Sequence, residues 1–185
     1  MYSFTRCKVS SCPRYATHIS EYCLAHDPRQ DLAPTLSFPV LDSASLSNWN
    51  CTEEDFSGKR ILGSLFSYST FHGVSFVKTT ILNSNFSFCL FEECVFDEST
   101  IRYVIFSGST FTQCMFMNSS ITHTNFNGSV MRDCDASGSD LYYSSFAHAH
   151  IHNTKMEDCN VRKADFRHTL QDNLSFRWSN YREVL

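Results

Sequence analysis

From Leu46 onward every fifth residue is apolar. The series runs Cys51, Phe56, Ile61, Phe66, Phe71, Phe76, Ile81, Phe86, Phe91, Phe96 and Ile101. It continues through Phe106, Phe111, Phe116, Ile121, Phe126, Met131, Ala136, Leu141, Phe146, Ile151, Met156, Val161 and Phe166. All 25 positions hold the register without an insertion, and 13 of the 17 phenylalanines sit in it. Two residues before each centre the side chain is small: from Ser64 to Ala164 the 21 positions hold only Ser, Thr, Cys, Val or Ala. A period of five fits neither a helix nor an ordinary strand. It fits a chain that turns a corner every five residues, with one large and one small side chain pointing inward on each side. Four sides per coil require residues 20 apart to stack. Ile61, Ile81, Ile101, Ile121, Leu141 and Val161 form one such column, and Phe66, Phe86, Phe106, Phe126, Phe146 and Phe166 form the next. The pattern predicts an all-β, four-sided solenoid of about six coils, because one coil cannot bury its own rings and stacked neighbours can.

Punctuation supports this reading. All four prolines precede residue 40, as expected if the later chain must donate every N–H to a ladder. All six glycines follow residue 55 and share one phase of the five-residue period, which marks the corners.

Segments such as SNFSF (84–88), STFTQ (109–113) and ADFRH (164–168) resemble the pentapeptide-repeat family, with Ser/Cys-x-Phe/Ile in place of the usual Ala-Asp-Leu. The resemblance implies a right-handed quadrilateral β-helix, which we place at 56–166. The pattern weakens at Glu54 and Lys59, so the regular coils are expected from near Ile61, with 27–55 as linker and N-terminal cap. Gln171 breaks the apolar register and 167–185 is read as a C-terminal cap. Leu170, Leu174 and Trp178 have helical spacing and favour a short helix there, although Phe176 and Tyr181 keep the five-residue phase. The exposed C-terminal end is also where a homodimer could form.

Residues 1–26 are of another kind. Cys7, Cys12, Cys23 and His26 read C-x4-C-x10-C-x2-H, three thiolates and an imidazole that complete a tetrahedral Zn²⁺ shell. A segment this short cannot bury a core, so a structural metal would supply its folding energy. The set resembles small Cys3His zinc knuckles, and His18 is the rival fourth ligand. A closed shell leaves no open position for catalysis.

The net charge of −4 offers no basic face for nucleic acid or an anionic membrane, and no apolar run reaches the ~18 residues of a membrane span. The first residues carry no apolar leader, which makes the cytoplasm the expected compartment. Its reducing conditions suit nine cysteines, an odd number. Cys94, Cys114 and Cys134 recur every 20 residues at the small inward position and read as buried thiols, as do Cys89 and Cys159. His148, His150, His152 and His168 are outward and read as a solvated face, with a surface metal site as the alternative. No nucleophile elbow, phosphate loop or other catalytic set is present, so we expect a non-enzyme.

Two surfaces could bind a partner. Leu62, Leu82, Tyr103, Tyr142 and Tyr143 project outward along the side centred on Ile61, with Tyr68 and Phe88 on the adjoining side. The sides centred on Phe71 and Phe76 carry Glu92, Glu93, Asp97, Glu98, Asp133, Asp135, Glu157 and Asp158. With Lys78, Arg132 and Lys155 these leave a net −5. The family resemblance implies an alternative for those acids, since some pentapeptide-repeat proteins are DNA-shaped rods that bind DNA gyrase and confer quinolone resistance. Duplex DNA carries one charge per ~1.7 Å, so a rod of ~30 Å would need about eighteen. The charge falls well short, and a scaffold for an unnamed protein partner is the preferred expectation.

Overall fold

The computed structural model of the chain describes residues 5–13, 16, 21–23, 26 and 39–181. From Val40 the chain winds as a parallel β-solenoid of about seven turns. The strands are β1 (Val40–Asp42), β2 (Asn50–Thr52), β3 (Arg60–Leu62), β4 (Thr70–His72), β5 (Thr80–Leu82) and β6 (Leu90–Glu92). They continue as β7 (Thr100–Arg102), β8 (Thr110–Thr112), β9 (Ser120–Thr122), β10 (Val130–Arg132), β11 (His150–Lys155) and β12 (Leu170–Ser175). β1, β3, β5, β7 and β9 form one parallel sheet, on the Ile61 side. The other seven strands form the opposite sheet, on the Phe71 side. The Phe66 and Phe76 sides are joined by single bridges, such as Leu65 to Asn85 and Ser75 to Val95, except in the last coil, where the β11–β12 ladder reaches the Phe76 side at Lys155 and Ser175. Every pairing has a 20-residue offset, as in Ile61 with Ile81 and Phe71 with Phe91.

Each corner is made by one residue in the left-handed region. In steps of five from 43 to 178, 22 non-glycine residues have φ between 47° and 62°. The six glycines complete the same series. A non-glycine residue gives up roughly 1–2 kcal/mol in this conformation. The inward rings offset that cost. Phe66 lies 4.5 Å from Phe86 at 5°, Phe76 4.6 Å from Phe96 at 3°, and Phe91 4.8 Å from Phe111 at 2°. Neighbouring columns meet edge to face, as Phe111 does with Phe116 at 67°. Both arrangements are favoured by the ring quadrupole. The twelve largest fully buried side chains are all Phe.

The small inward residue has a second role that size alone does not reveal. Its hydroxyl or thiol donates to the carbonyl 23 residues earlier, as in Ser109 to Phe86 (2.7 Å), Ser139 to Phe116 (2.6 Å) and Cys89 to Phe66 (3.0 Å). Ser109 Oγ also accepts the Cys89 N–H at 2.9 Å. Ser129, one coil along the same column, buries its hydroxyl without a partner. Ser109→Ala should therefore cost about 1–3 kcal/mol, whereas Ser129→Ala should be neutral or slightly stabilising. Urea unfolding of the two variants side by side measures the difference, and equal losses would refute the assignment.

Both ends depart from expectation. The coils start at Val40, since β1 already pairs with β3 in register. In the first coil the sizes are exchanged: Trp49 fills the small slot before Cys51 and packs on Phe56, Phe66 and Phe71 at 6.1–6.4 Å. Lys59, in another small slot, folds its stem back so that Nζ lies 5.4 Å from the Phe56 ring centre. Residues 27–38 of the expected cap lie outside the described residues. At the C-terminus the five-residue phase wins over the helical spacing. β12 pairs with β11 from Leu170 to Ser175, and the described chain contains no helix beyond isolated single-residue turns. Phe176 packs on Phe166 at 5.2 Å, and Tyr181 on Phe176 at 4.3 Å, so the last coil closes the core in place of a helix.

Candidate functional site

The first candidate is the Cys/His cluster of the N-terminal segment. A short backbone pairing holds it, with Lys8 N–H to Glu21 O at 2.8 Å and Ala16 N–H to Thr5 O at 2.8 Å. Two tight turns aim the ligands: Cys12 N–H bonds Val9 O, and His26 N–H bonds Cys23 O, each at 2.9 Å. The donor atoms of Cys7, Cys12, Cys23 and His26 all lie within 4.8 Å of one another. A tetrahedral site with Zn–S near 2.3 Å and Zn–N near 2.0 Å requires S···S edges of about 3.8 Å and S···N edges of about 3.5 Å. Cys12 Sγ to Cys23 Sγ is 3.8 Å, and His26 Nδ1 is 3.5 Å from both Cys7 Sγ and Cys23 Sγ. Three edges of the shell thus have the lengths a metal would impose. Burial would push the Cys7 thiol up, but hydrogen bonds from Cys23, Val9 and His26 outweigh it and bring it down to about 6. The cluster can hold a metal. The rival ligand His18 lies outside the described residues.

No second convergent set of three or more metal-ligating donors is found among the described residues. His148 stacks on His168 at 4.9 Å and His152 bonds Asp172 at 2.7 Å, so three of the four outward histidines are engaged in two separate contacts. The cysteine column is buried, and none of the nine cysteines is in a disulfide. Cys94 Sγ and Cys134 Sγ donate to backbone carbonyls at 3.3–3.7 Å. Burial pushes Cys89 up to about 12, which keeps it protonated and inert.

The second candidate is a side of the rod. On the Ile61 side Leu62 and Leu82 are half-buried neighbours in register, but Arg102 follows Leu82 in their column. Tyr103 and Tyr143 sit one position further on, at the corner shared with the Phe66 side. His123 lies between them, 5.1 Å from Tyr103 and 5.2 Å from Tyr143, and Tyr142 meets Tyr143 edge-on at 4.9 Å. His123 completes the stack; its 20-residue spacing from both tyrosines is the sequence signal for it. At the opposite corner Tyr68 stacks on Phe88 at 5.3 Å. Between these corners, the segments 43–48, 63–68, 83–88, 103–108, 123–128 and 143–148 contain no Asp, Glu, Lys or Arg. Apart from residues at the two ends of the rod, every exposed large hydrophobic among the described residues falls here: Tyr68, Phe88, Tyr103, Ile105 and Tyr143. Leu62, Leu82 and Tyr142 flank this stripe.

The predicted acids lie on the other two sides, and most have local partners. Glu92 is 3.6 Å from His72, Glu98 3.4 Å from Lys78, and Asp135 3.6 Å from Lys155. Asp133 accepts from Asn153, Glu157 from Ser175, and Asp97 from the Met117 N–H at 2.7 Å. Burial holds the Asp97 carboxyl above the usual carboxylate range. Glu93 and Asp158 stand at corners.

The model for pentapeptide repeats matches the sequence in eight copies, over residues 82–116, 94–133, 114–150 and 129–167. Residues 82–167 are repeats of the pentapeptide family. Among solved pentapeptide-repeat structures the chain is similar to HetL of the cyanobacterium Nostoc, a protein involved in heterocyst differentiation regulation. The two are 7% identical, the match covers 82% of this chain and 91% of HetL, and the TM-score is 0.36. A trypsin-treated form of QnrB1, a plasmid-mediated fluoroquinolone resistance protein, is 10% identical over 77% of this chain and 84% of its own, with a TM-score of 0.27. A protein of the Arabidopsis thaliana thylakoid lumen is 19% identical over 69% and 61%, with a TM-score of 0.19. No curated protein matches the sequence.

Proposed function

We propose that this pentapeptide-repeat protein is a non-enzymatic scaffold that binds a protein partner through the uncharged Phe66 side and the flanking Leu62, Leu82 and Tyr142. The observation that carries this is the coincidence of two properties on one side of the rod. The segments that six successive turns place on this side contain no Asp, Glu, Lys or Arg, and the same side and its corners present the exposed large hydrophobics. Contiguous exposed apolar surface with Tyr marks interfaces more often than solvated faces. The acidic sides are less suited to mimic DNA, because Lys78 and Lys155 already answer two of their carboxylates.

Salt and mutation separate the two surfaces. Reversing charge at Glu92, Glu93, Asp97 and Glu98 should leave partner capture intact and insensitive to moderate salt. Leu82→Asp with Tyr103→Ser should abolish capture while keeping the wild-type circular dichroism. DNA gyrase inhibition by the wild type, lost on charge reversal, would favour nucleic-acid mimicry instead.

For the N-terminal cluster we infer structural Zn²⁺, held by Cys7, Cys12, Cys23 and His26. The support is the match of its edges to a tetrahedral shell of three thiolates and one imidazole. Nine cysteines outside disulfides suit a reducing compartment, and we propose the cytoplasm on that ground.

A further inference from the structure

The metal cluster and the uncharged side meet. Pro13, the residue after the ligand Cys12, lines a cleft of about 410 Å³ together with Asn48, Leu65, Ser67, Tyr68 and Asn85. All the rod residues of this lining belong to the uncharged stripe. Its volume falls within the ~300–1,000 Å³ usual for ligand sites. We propose that this cleft is a docking site for an uncharged, apolar peptide segment of a partner protein, and that the metal shapes it by fixing the Cys12–Pro13 loop. The inference rests on the scaffold reading and names where on the stripe a partner is gripped and what chemistry it brings.

Both walls are held from behind. Tyr68 stacks flat on Phe88 at 5.3 Å and 9°. Phe88 in turn lies over Gly108, where an added Cβ would come within 2.6 Å of its Cε1, so the glycine makes room for the ring. The stack thus reaches across three coils and fixes the Tyr68 wall. On the other wall, the turn from Val9 to Cys12 places Pro13, whose carbonyl accepts from the Arg6 guanidinium at 3.4 Å. A metal bound to the Cys12 thiolate anchors that turn at its last residue.

The lining selects the occupant. None of the lining residues carries a charge, so a charged group entering the cleft would lose water without an ion-pair partner among them. Leu65, Tyr68 and Pro13 offer apolar contact. Asn48, Ser67 and Asn85 supply the few polar groups that orient a peptide backbone. From its first segment to its sixth the stripe runs along the rod for roughly 24 Å at ~4.8 Å per coil, past Phe88 and Ile105. An elongated segment matches that shape better than a compact metabolite.

The test uses the full-length, zinc-loaded protein to select from random peptides displayed on phage. The selected peptides are then synthesised and their affinities measured by fluorescence anisotropy. Uncharged, apolar sequences should be enriched. Their Kd should rise by about tenfold or more in Ser67→Arg, in Tyr68→Asp and in wild type stripped by a chelator, with unchanged circular dichroism of the rod in each case. Failure to enrich any peptide, or affinities that survive Ser67→Arg or chelation, would overturn the cleft. Peptides that ignore the cleft variants but are lost in Leu82→Asp with Tyr103→Ser would overturn the cleft and leave the scaffold reading standing. Basic peptides that depend on Glu92, Glu93, Asp97 and Glu98 would overturn both.

Discussion

Phe106→Ala should destabilise the rod by about 3–5 kcal/mol, a large part of the ~5–15 kcal/mol available to a domain. The ring is fully buried at mid-rod. It lies 5.4 Å from Phe86, 5.1 Å from Phe126 and 5.4 Å from Phe111, with Phe91 at 5.8 Å. Removing it opens a cavity that stiff stacks on either side cannot collapse into, because each neighbouring ring is pinned by the ring beyond it. The outward Thr112→Ala, on β8, should change stability by no more than about 0.5 kcal/mol. In a solenoid each coil contacts only its neighbours, so the damage should also be local. Hydrogen exchange should speed most at the amides of Phe86, Phe106 and Phe126, and less towards the ends. Equal urea midpoints for the two variants would contradict the assigned inward and outward phases.

The second large effect concerns the metal. Protein purified without chelator should carry close to one equivalent of Zn²⁺ per chain, and the Cys7→Ser/Cys12→Ser double variant should carry none. Structural zinc supplies roughly 10–16 kcal/mol to segments too small to fold alone, so its removal should unfold residues 5–26 entirely. The rod has its own core and should keep its circular dichroism and its unfolding transition. Elemental analysis and protease susceptibility of the N-terminal segment check the two halves of the expectation. A metal-free wild type whose segment resists proteolysis would refute the zinc assignment.

The square section of the rod was legible in the sequence because its rule is local and repeats without interruption. Each side needs one large residue, one small residue and one corner, and the 20-residue columns follow from four such sides. The ends were harder to read because the rule relaxes where a coil has a neighbour on only one side. Lys59 can fill a small slot there by folding its stem against Phe56, and Trp49 can change places with Cys51. At the other end, the Leu170–Leu174–Trp178 spacing suggested a helix. Trp178 instead occupies a left-handed corner, 76% exposed, while β12 continues the ladder.

The candidate sites divide in the same way. The four residues of the Cys/His cluster could be picked out from their spacing, and the fold brings their donor atoms within 4.8 Å of one another. The uncharged side escaped notice because its signal is an absence spread over six separated segments. His123 escaped because it stands between two tyrosines that are 40 residues apart in sequence and stacked in space.

The left-handed corners, one every five residues with four to a turn, make the rod a kind of rotary register. Deleting twenty residues would shorten it by one storey and leave every column aligned. Deleting five would keep the core, because large and small residues still face inward, yet would rotate the outer surface beyond the cut by a quarter turn. The uncharged stripe would then break and continue around the corner on another side. Growth and loss of such a chain are therefore free to change its length in whole storeys. A shift by a single repeat reshuffles what it displays to its surroundings without disturbing what holds it up.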